Sequence, residues 1–145
     1  DLDVKLVLVR PPNENLKNSL EELDIDFQWH SNLSEEELIE VYSHVDIVYF
    51  ASTYEGFGLP IIEAQSIGRP VVTSSVCSMP EVNGGGGYIV NPTSVDEVRD
   101  AIERLLQWEN WQAEVTRGLE NEKRFEPSKI AKKYLELYKE IEQSK

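Results

Sequence analysis

Cysteine is almost missing. Cys77 stands alone among 145 residues, so the chain cannot close a disulfide on itself, which suits a reducing compartment. Positive charge is also scarce, with 14 Lys and Arg against 27 Asp and Glu and a formal net charge of −13. Phosphate-backbone affinity comes from clustered cations, so this balance argues against a nucleic-acid partner and against membrane contact by this domain. No apolar run approaches the roughly 20 residues of a membrane span, and the first residues lack a leader's basic-then-apolar pattern. The expectation is a soluble, cytoplasmic protein. With 40% apolar residues it can bury a core, and its length suits one domain over residues 1–145.

Charge is unevenly spread. Residues 1–50 hold 12 acids and 3 bases, and residues 96–145 hold 12 acids and 10 bases. The stretch between them has only Glu55, Glu63, Glu81 and Arg69, yet it holds seven of the eight glycines and four of the seven prolines. Such a centre reads as tight loops joined to buried elements. A site built from backbone groups belongs there, although the same composition also fits plain core.

Apolar runs at Val4–Val9, Asp26–Trp29, Asp46–Ala51, Pro70–Thr73 and Gly87–Val90 predict strands, the first buried on both faces. Helical spacing predicts helices over 13–23, from Ser34 to about His44, from Pro60 to Gly68, from Ser94 to about Gln107, over 110–123 and over 127–143. Ser34 with Glu37, and Ser94 with Glu97, have capping-box spacing. The alternation means a doubly wound, Rossmann-like α/β fold, with a mostly parallel sheet and helices on both faces. Ligands of such folds bind outside the carboxyl ends of the strands, here after Phe50 and after Thr73.

The loop after the third strand runs from Ser52 to a helix start at Pro60. Gly56 and Gly58 alternate with apolar Phe57 and Leu59, so amides can approach a ligand while the helix end adds partial positive charge. An acidic chain can hold a phosphate this way without lysines. Glu63 is expected near the helix's first turn, able to accept hydrogen bonds from a pair of hydroxyls, and Glu55 sits at the loop's far end. The dinucleotide fingerprint fails because Ile61 stands where a third glycine is needed. A receiver domain fails because Arg10-Pro11-Pro12 stands where acids are required.

Glu55-Gly-Phe-Gly-Leu-Pro-Ile-Ile-Glu63 resembles the E-x7-E motif of retaining, nucleotide-sugar-dependent glycosyltransferases of the GT-B fold, group 1 or family 4. The likeness continues through Tyr42–Ser52, Ala64–Ser74, Pro80-Glu81-Val82, the glycine run and Val90-Asn91-Pro92, covering roughly residues 4–107. The resemblance implies the C-terminal, donor-binding half of a two-domain enzyme whose N-terminal half binds the acceptor and is absent from this chain. The donor substrate would be a nucleotide-diphosphate sugar, with no other cofactor required. Glu63 would hold the ribose hydroxyls, Glu55 would contact donor-sugar hydroxyls as the catalytic-site residue, and amides of Gly56, Phe57, Gly58 and Leu59 would face sugar and diphosphate. A glycosidase-like nucleophile role for Glu55 is disfavoured, because in this family the leaving phosphate assists same-face attack.

The family's domain begins with a further strand and helix carrying an Arg and a Lys for the diphosphate. This sequence starts at what resembles the next strand, so the expectation is a piece of a longer enzyme, inactive alone. Arg10 and Ser31 stand where glycines are usual, which weakens base recognition near His30–Leu33. A GT-B glucan synthase, a sugar-nucleotide epimerase, and a non-catalytic nucleotide-binding or protein-interaction module remain as alternatives. The full-length enzyme would be cytoplasmic or peripheral at the inner membrane face.

Elsewhere, His30 and His44 have no second ligand at metal spacing, and no metal site is expected. Cys77 lacks an activating neighbour. Gly84–Gly87 reads as a phosphate-facing loop or, more simply, as a mobile turn. Trp29, Trp108 and Trp111 read as packing residues. Ile130, Tyr134, Leu137, Tyr138 and Ile141 form one helical stripe, read as packing on the domain's own sheet, with weak homodimerisation as the other use.

Overall fold

The computed structural model describes residues 4–144. Its elements are β1 Leu6–Leu8, α1 Glu14–Glu22, β2 Phe27–Trp29, α2 Glu35–Ser43, β3 Val48–Phe50, α3 Leu59–Ser66 and β4 Val71–Ser74. They continue with α4 Met79–Asn83, β5 Gly87–Val90, α5 Val95–Leu105, α6 Trp108–Glu122, a 3-10 turn Lys123–Phe125 and α7 Pro127–Gln143. Every described strand pair is parallel, β1 with β2, β3 with β4 and β4 with β5. The alternation expected of an α/β fold is there. Instead of one sheet, however, there are two, β1–β2 and β3–β4–β5. The chain divides likewise into two compact units, one ending at Val45 and one starting at Asp46.

In the first unit the caps set the helices. The Asn13 side chain accepts from the Leu16 amide at 2.8 Å and starts α1. Ser34 and Glu37 close a full capping box on α2, with the Ser34 amide donating to Glu37 Oε2 at 2.8 Å and the Glu37 amide donating to Ser34 Oγ at 3.2 Å. Leu20 and Tyr42 are buried. The apolar run around β1 predicts burial on both faces, but Leu6–Leu8 are only half-buried. Among the described residues the strand's one hydrogen-bonded neighbour is β2.

The second unit holds the denser core. β4 lies between β3 and β5, and all four of its residues are buried, which is why Val71-Val72-Thr73 reads as a continuous run without polar alternation. Val72 and Val90 meet Ala101 and Leu105 of α5, with Ile47, Ala51, Tyr88, Val98 and Ile102 packed around them. Burying a side chain such as Leu105 is worth roughly 1.5–3 kcal/mol over leaving it exposed. α3 and α6 pack on each other, and each also contacts the sheet. α4 was not predicted: Pro80 near its start and Gly84 after its end, in left-handed conformation, enclose only five residues.

α7 has no buried residue. Tyr134, Leu137, Tyr138 and Ile141 are about half exposed or more, so the reading of this stripe as packing on the sheet is corrected. Pro127 opens α7 after Glu126, a residue of extended-type ψ, and thus starts a helix separate from α6. No described helix is long and apolar enough to cross a membrane.

The capping box carries a titration. Hydrogen bonding to the Ser34 amide first, and to its hydroxyl second, holds the Glu37 carboxyl below its ordinary value of 4.5. A depressed native pKa means the contribution is present above pH 4.5 and is lost as pH falls through the lowered native value. In an NMR titration Glu37 should show a midpoint below 4.5, and Ser34→Ala should move it part of the way back up. An unchanged midpoint in Ser34→Ala would contradict this account.

Candidate functional site

The loop between β3 and α3 leaves the carboxyl end of its strand, as the sequence predicts. β4 ends beside it, where Thr73 Oγ1 donates to the Phe50 carbonyl at 2.9 Å. Gly58 caps α3 in left-handed conformation with φ 103°, a geometry that L side chains avoid. A Cβ there would also come within 3.2 Å of Ile61 Cδ1, so both backbone and packing call for glycine. Gly56 differs, since a Cβ on it would meet nothing within 4 Å. Its lack of a side chain serves no contact inside the fold.

α3 begins at Leu59, one residue earlier than predicted, with Pro60 second. Glu63 is therefore the fifth helical residue, past the first turn, which contains no acid. This places it next to the first turn, where the helix-end charge effect is already fading. Glu63 and Glu55 are both half-buried, at opposite ends of the segment. Leu59 is 60% exposed and Tyr54 83%, so this surface is open to solvent.

Two contacts fix the loop's middle. Ser78 Oγ donates to the Phe57 carbonyl at 2.8 Å. The Phe57 ring meets the Phe125 ring edge-on, with centroids 5.9 Å apart and planes at 86°. Met79, fully buried, lies beneath Gly58. Sequence reasoning missed Ser78 and Phe125, which lie 21 and 68 positions from Phe57, with no local signal for either partnership.

Behind the loop sits a buried polar network, also missed. Gln65, 1% exposed on α3, points its amide nitrogen at the carbonyls of Asn83 and Gly86, 3.2 and 2.9 Å away. Its oxygen accepts from Asn121 Nδ2 at 2.8 Å, and the same nitrogen reaches the Val82 carbonyl at 2.8 Å. Asn83 Nδ2 donates to the Gly87 carbonyl, and Arg124 Nη1 donates to Asn121 Oδ1 at 2.6 Å. The glycine run is thus tied down at Gly86 and Gly87. Gly86 is buried, and a Cβ on it would lie 2.7 Å from the Gly118 Cα. Buried hydrogen bonds and close backbone approach hold Gly86 and Gly87, while Gly84 and Gly85 are exposed.

Other expected positions resolve as follows. Ser74 ends β4 fully buried, and its hydroxyl has no hydrogen-bond partner among the described residues. Glu81 lies in the first turn of α4. Trp108 and Trp111 stack on each other at 5.3 Å, and Trp111 Nε1 donates to the Asp46 carbonyl at 2.8 Å. Trp29 is 47% exposed, so it packs only in part, against Phe27. In the first unit a groove of about 440 Å³ runs between α2 and the β1–β2 pair, with His30, Leu33 and Glu37 on its wall. Among the described residues no group of three or more His, Cys, Asp or Glu is placed to hold a metal ion.

Asn121→Ala should destabilise the second unit by about 1–3 kcal/mol, because it strands Gln65 Oε1 and the Val82 carbonyl in the core. Thermal melting should show a loss of several degrees, roughly 3 °C per kcal/mol. A melting point within 1 °C of wild type, on that roughly 3 °C scale, would contradict the network's role.

Comparison with known proteins follows the same lines. The family model for glycosyl transferases, group 1, matches residues 1–134. The O-antigen chain mannosyltransferase B of Escherichia coli is 40% identical over 106 residues, which are 72% of this chain and 28% of that protein. The chain therefore spans little more than a quarter of that relative's length. The solved C-terminal domain of a glycosyl transferase group 1 family protein from Francisella tularensis has a TM-score of 0.64 at 25% identity, covering 74% of this chain and 58% of that one. Anabaena HepE in complex with UDP-glucose has a TM-score of 0.75 at 20% identity, covering 94% of this chain and 40% of that one, a likeness of fold.

Proposed function

The chain belongs to the glycosyl transferases group 1 family, and from that membership we propose that it is the donor-binding domain of an enzyme that transfers a sugar, with retention, from a nucleotide-sugar to a glycan or lipid-linked acceptor. Both compact units are assigned to that one domain, with a cytoplasmic setting. The observation that carries the reading is the loop from Glu55 to Leu59, leaving the carboxyl end of β3 and entering α3 through a left-handed Gly58. Its amides and the helix N-terminus give an anion site to a chain with a net charge of −13. Support also comes from the Anabaena protein of the same fold, solved with UDP-glucose. The relative at 40% identity is named a mannosyltransferase, which favours mannose as the donor sugar.

In this reading Glu63 accepts hydrogen bonds from the two ribose hydroxyls, and Glu55 from hydroxyls of the donor sugar. The amides of Gly56, Phe57, Gly58 and Leu59 face the sugar and diphosphate. As the glycosidic bond breaks, negative charge grows on the leaving diphosphate, and fixed amide dipoles stabilise it. That phosphate takes up the proton of the attacking acceptor hydroxyl on the same face, so configuration is retained with Glu55 as a positioning carboxylate. The acceptor site is assigned to the remaining length of the enzyme, and the chain alone binds donor without transferring it.

Calorimetry with UDP, GDP and ADP tests the proposal. One nucleotide should bind, and Glu63→Ala should weaken it at least about tenfold, which is 1.4 kcal/mol. Gly56→Ala should leave melting within about 0.5 kcal/mol of wild type, as for an open surface position, yet weaken the same nucleotide. Binding of none of the three, or equal binding by Glu63→Ala, would overturn the reading.

A further inference from the structure

We propose that Phe125 is a positioning residue for the donor loop, holding the Phe57 ring so that the amides of residues 56–59 are fixed before a ligand arrives. The inference rests on the reading of that loop as the donor site. The loop has little packing of its own: Tyr54 and Leu59 are largely exposed, and Gly56 has open space around it. Besides Gly58, which packs over Met79, its grip on the rest of the unit runs through Phe57, whose carbonyl accepts from Ser78 and whose ring meets Phe125 in the edge-to-face geometry that aromatic quadrupoles favour.

Phe125 is itself anchored. It lies in the 3-10 turn between α6 and α7, with the Arg124 guanidinium carbon 5.3 Å from its ring centroid. The Arg124 Nη1 donates to Asn121 Oδ1 and to the Glu81 carbonyl, 2.6 and 3.3 Å away. A continuous path of contacts therefore joins the loop to the buried amides through Phe57, Phe125, Arg124, Asn121 and Gln65. The α6–α7 junction thus sets how rigid the donor loop is. A loop that arrives ordered loses less conformational entropy on binding, so Phe125 contributes to affinity without touching the ligand.

The test uses Phe125→Ala and Phe125→Tyr in the full chain. The readouts are 15N relaxation, melting temperature and calorimetric binding of the nucleotide that wild type prefers. In Phe125→Ala the order parameters of Gly56, Phe57 and Gly58 should drop from about 0.85 towards 0.6 or below, while those of Val71–Ser74 stay unchanged. Nucleotide affinity should fall about fivefold, as expected for loss of an aromatic pair, and Phe125→Tyr should retain both loop order and affinity. Unchanged loop order in Phe125→Ala, or loss of order in the loop and β4 together, overturns the proposal. If wild type binds no nucleotide, the donor-site reading falls, and relaxation still decides whether Phe125 orders the loop.

Discussion

The Gln65 side chain leaves α3 in the interior of the second unit, where an unpaired amide would cost about 1–3 kcal/mol. It is satisfied only because three other segments come to it: the Asn83 and Gly86 carbonyls on one side and Asn121 of α6 on the other. That requirement fixes where α4 ends, where the glycine run turns and how closely α6 approaches. Gly86 and Gly118 follow from it, since a Cβ on Gly86 would lie 2.7 Å from the Gly118 Cα and one on Gly118 would lie 3.0 Å from Gln65 Cγ. The helix that carries Gln65 is the one whose first residues form the loop proposed to hold the donor. Satisfying a buried amide and aiming a ligand loop are therefore parts of one arrangement.

The proposed donor site is one way for an acidic protein to hold an anion. Cations are few in the central stretch, where Arg69 is the only one. In the proposed site backbone amides at a helix start take the place of cations, with open space around Gly56. Amides carry no net charge to be screened or repelled, and their direction is fixed by the helix. The proposal of a sugar donor rests on family membership, since amides and carboxylates alone do not specify one.

Much of the fold was legible because local rules act on local sequence. The capping box at Ser34 and Glu37, the cap at Ser94, the glycine after α3 and the prolines near helix starts each place an element boundary within a residue or two. The Glu55–Glu63 segment was legible for the same reason, as was its position after a strand. Where the reading slipped, the cause was tertiary. β1 looked like a fully buried strand because apolar runs do not reveal how many neighbours a strand has. The stripe on α7 has helical period and yet none of its residues is buried, since periodicity predicts a face but not its partner.

The sequence by itself determined the alternation of strands and helices, the parallel pairing that such alternation imposes, and the glycine-rich loop at a strand's carboxyl end. These follow from caps, turns and side-chain periods that span a few residues. Only the tertiary structure decided that Gln65, Asn83 and Asn121 share buried hydrogen bonds, that Gly86 and Gly87 are tied to them, and that Phe125 meets Phe57. The paired side chains lie between 18 and 68 positions apart in the chain. Nothing in a polar or aromatic residue's own neighbourhood says which distant group will satisfy it, because that choice is made when the helices pack.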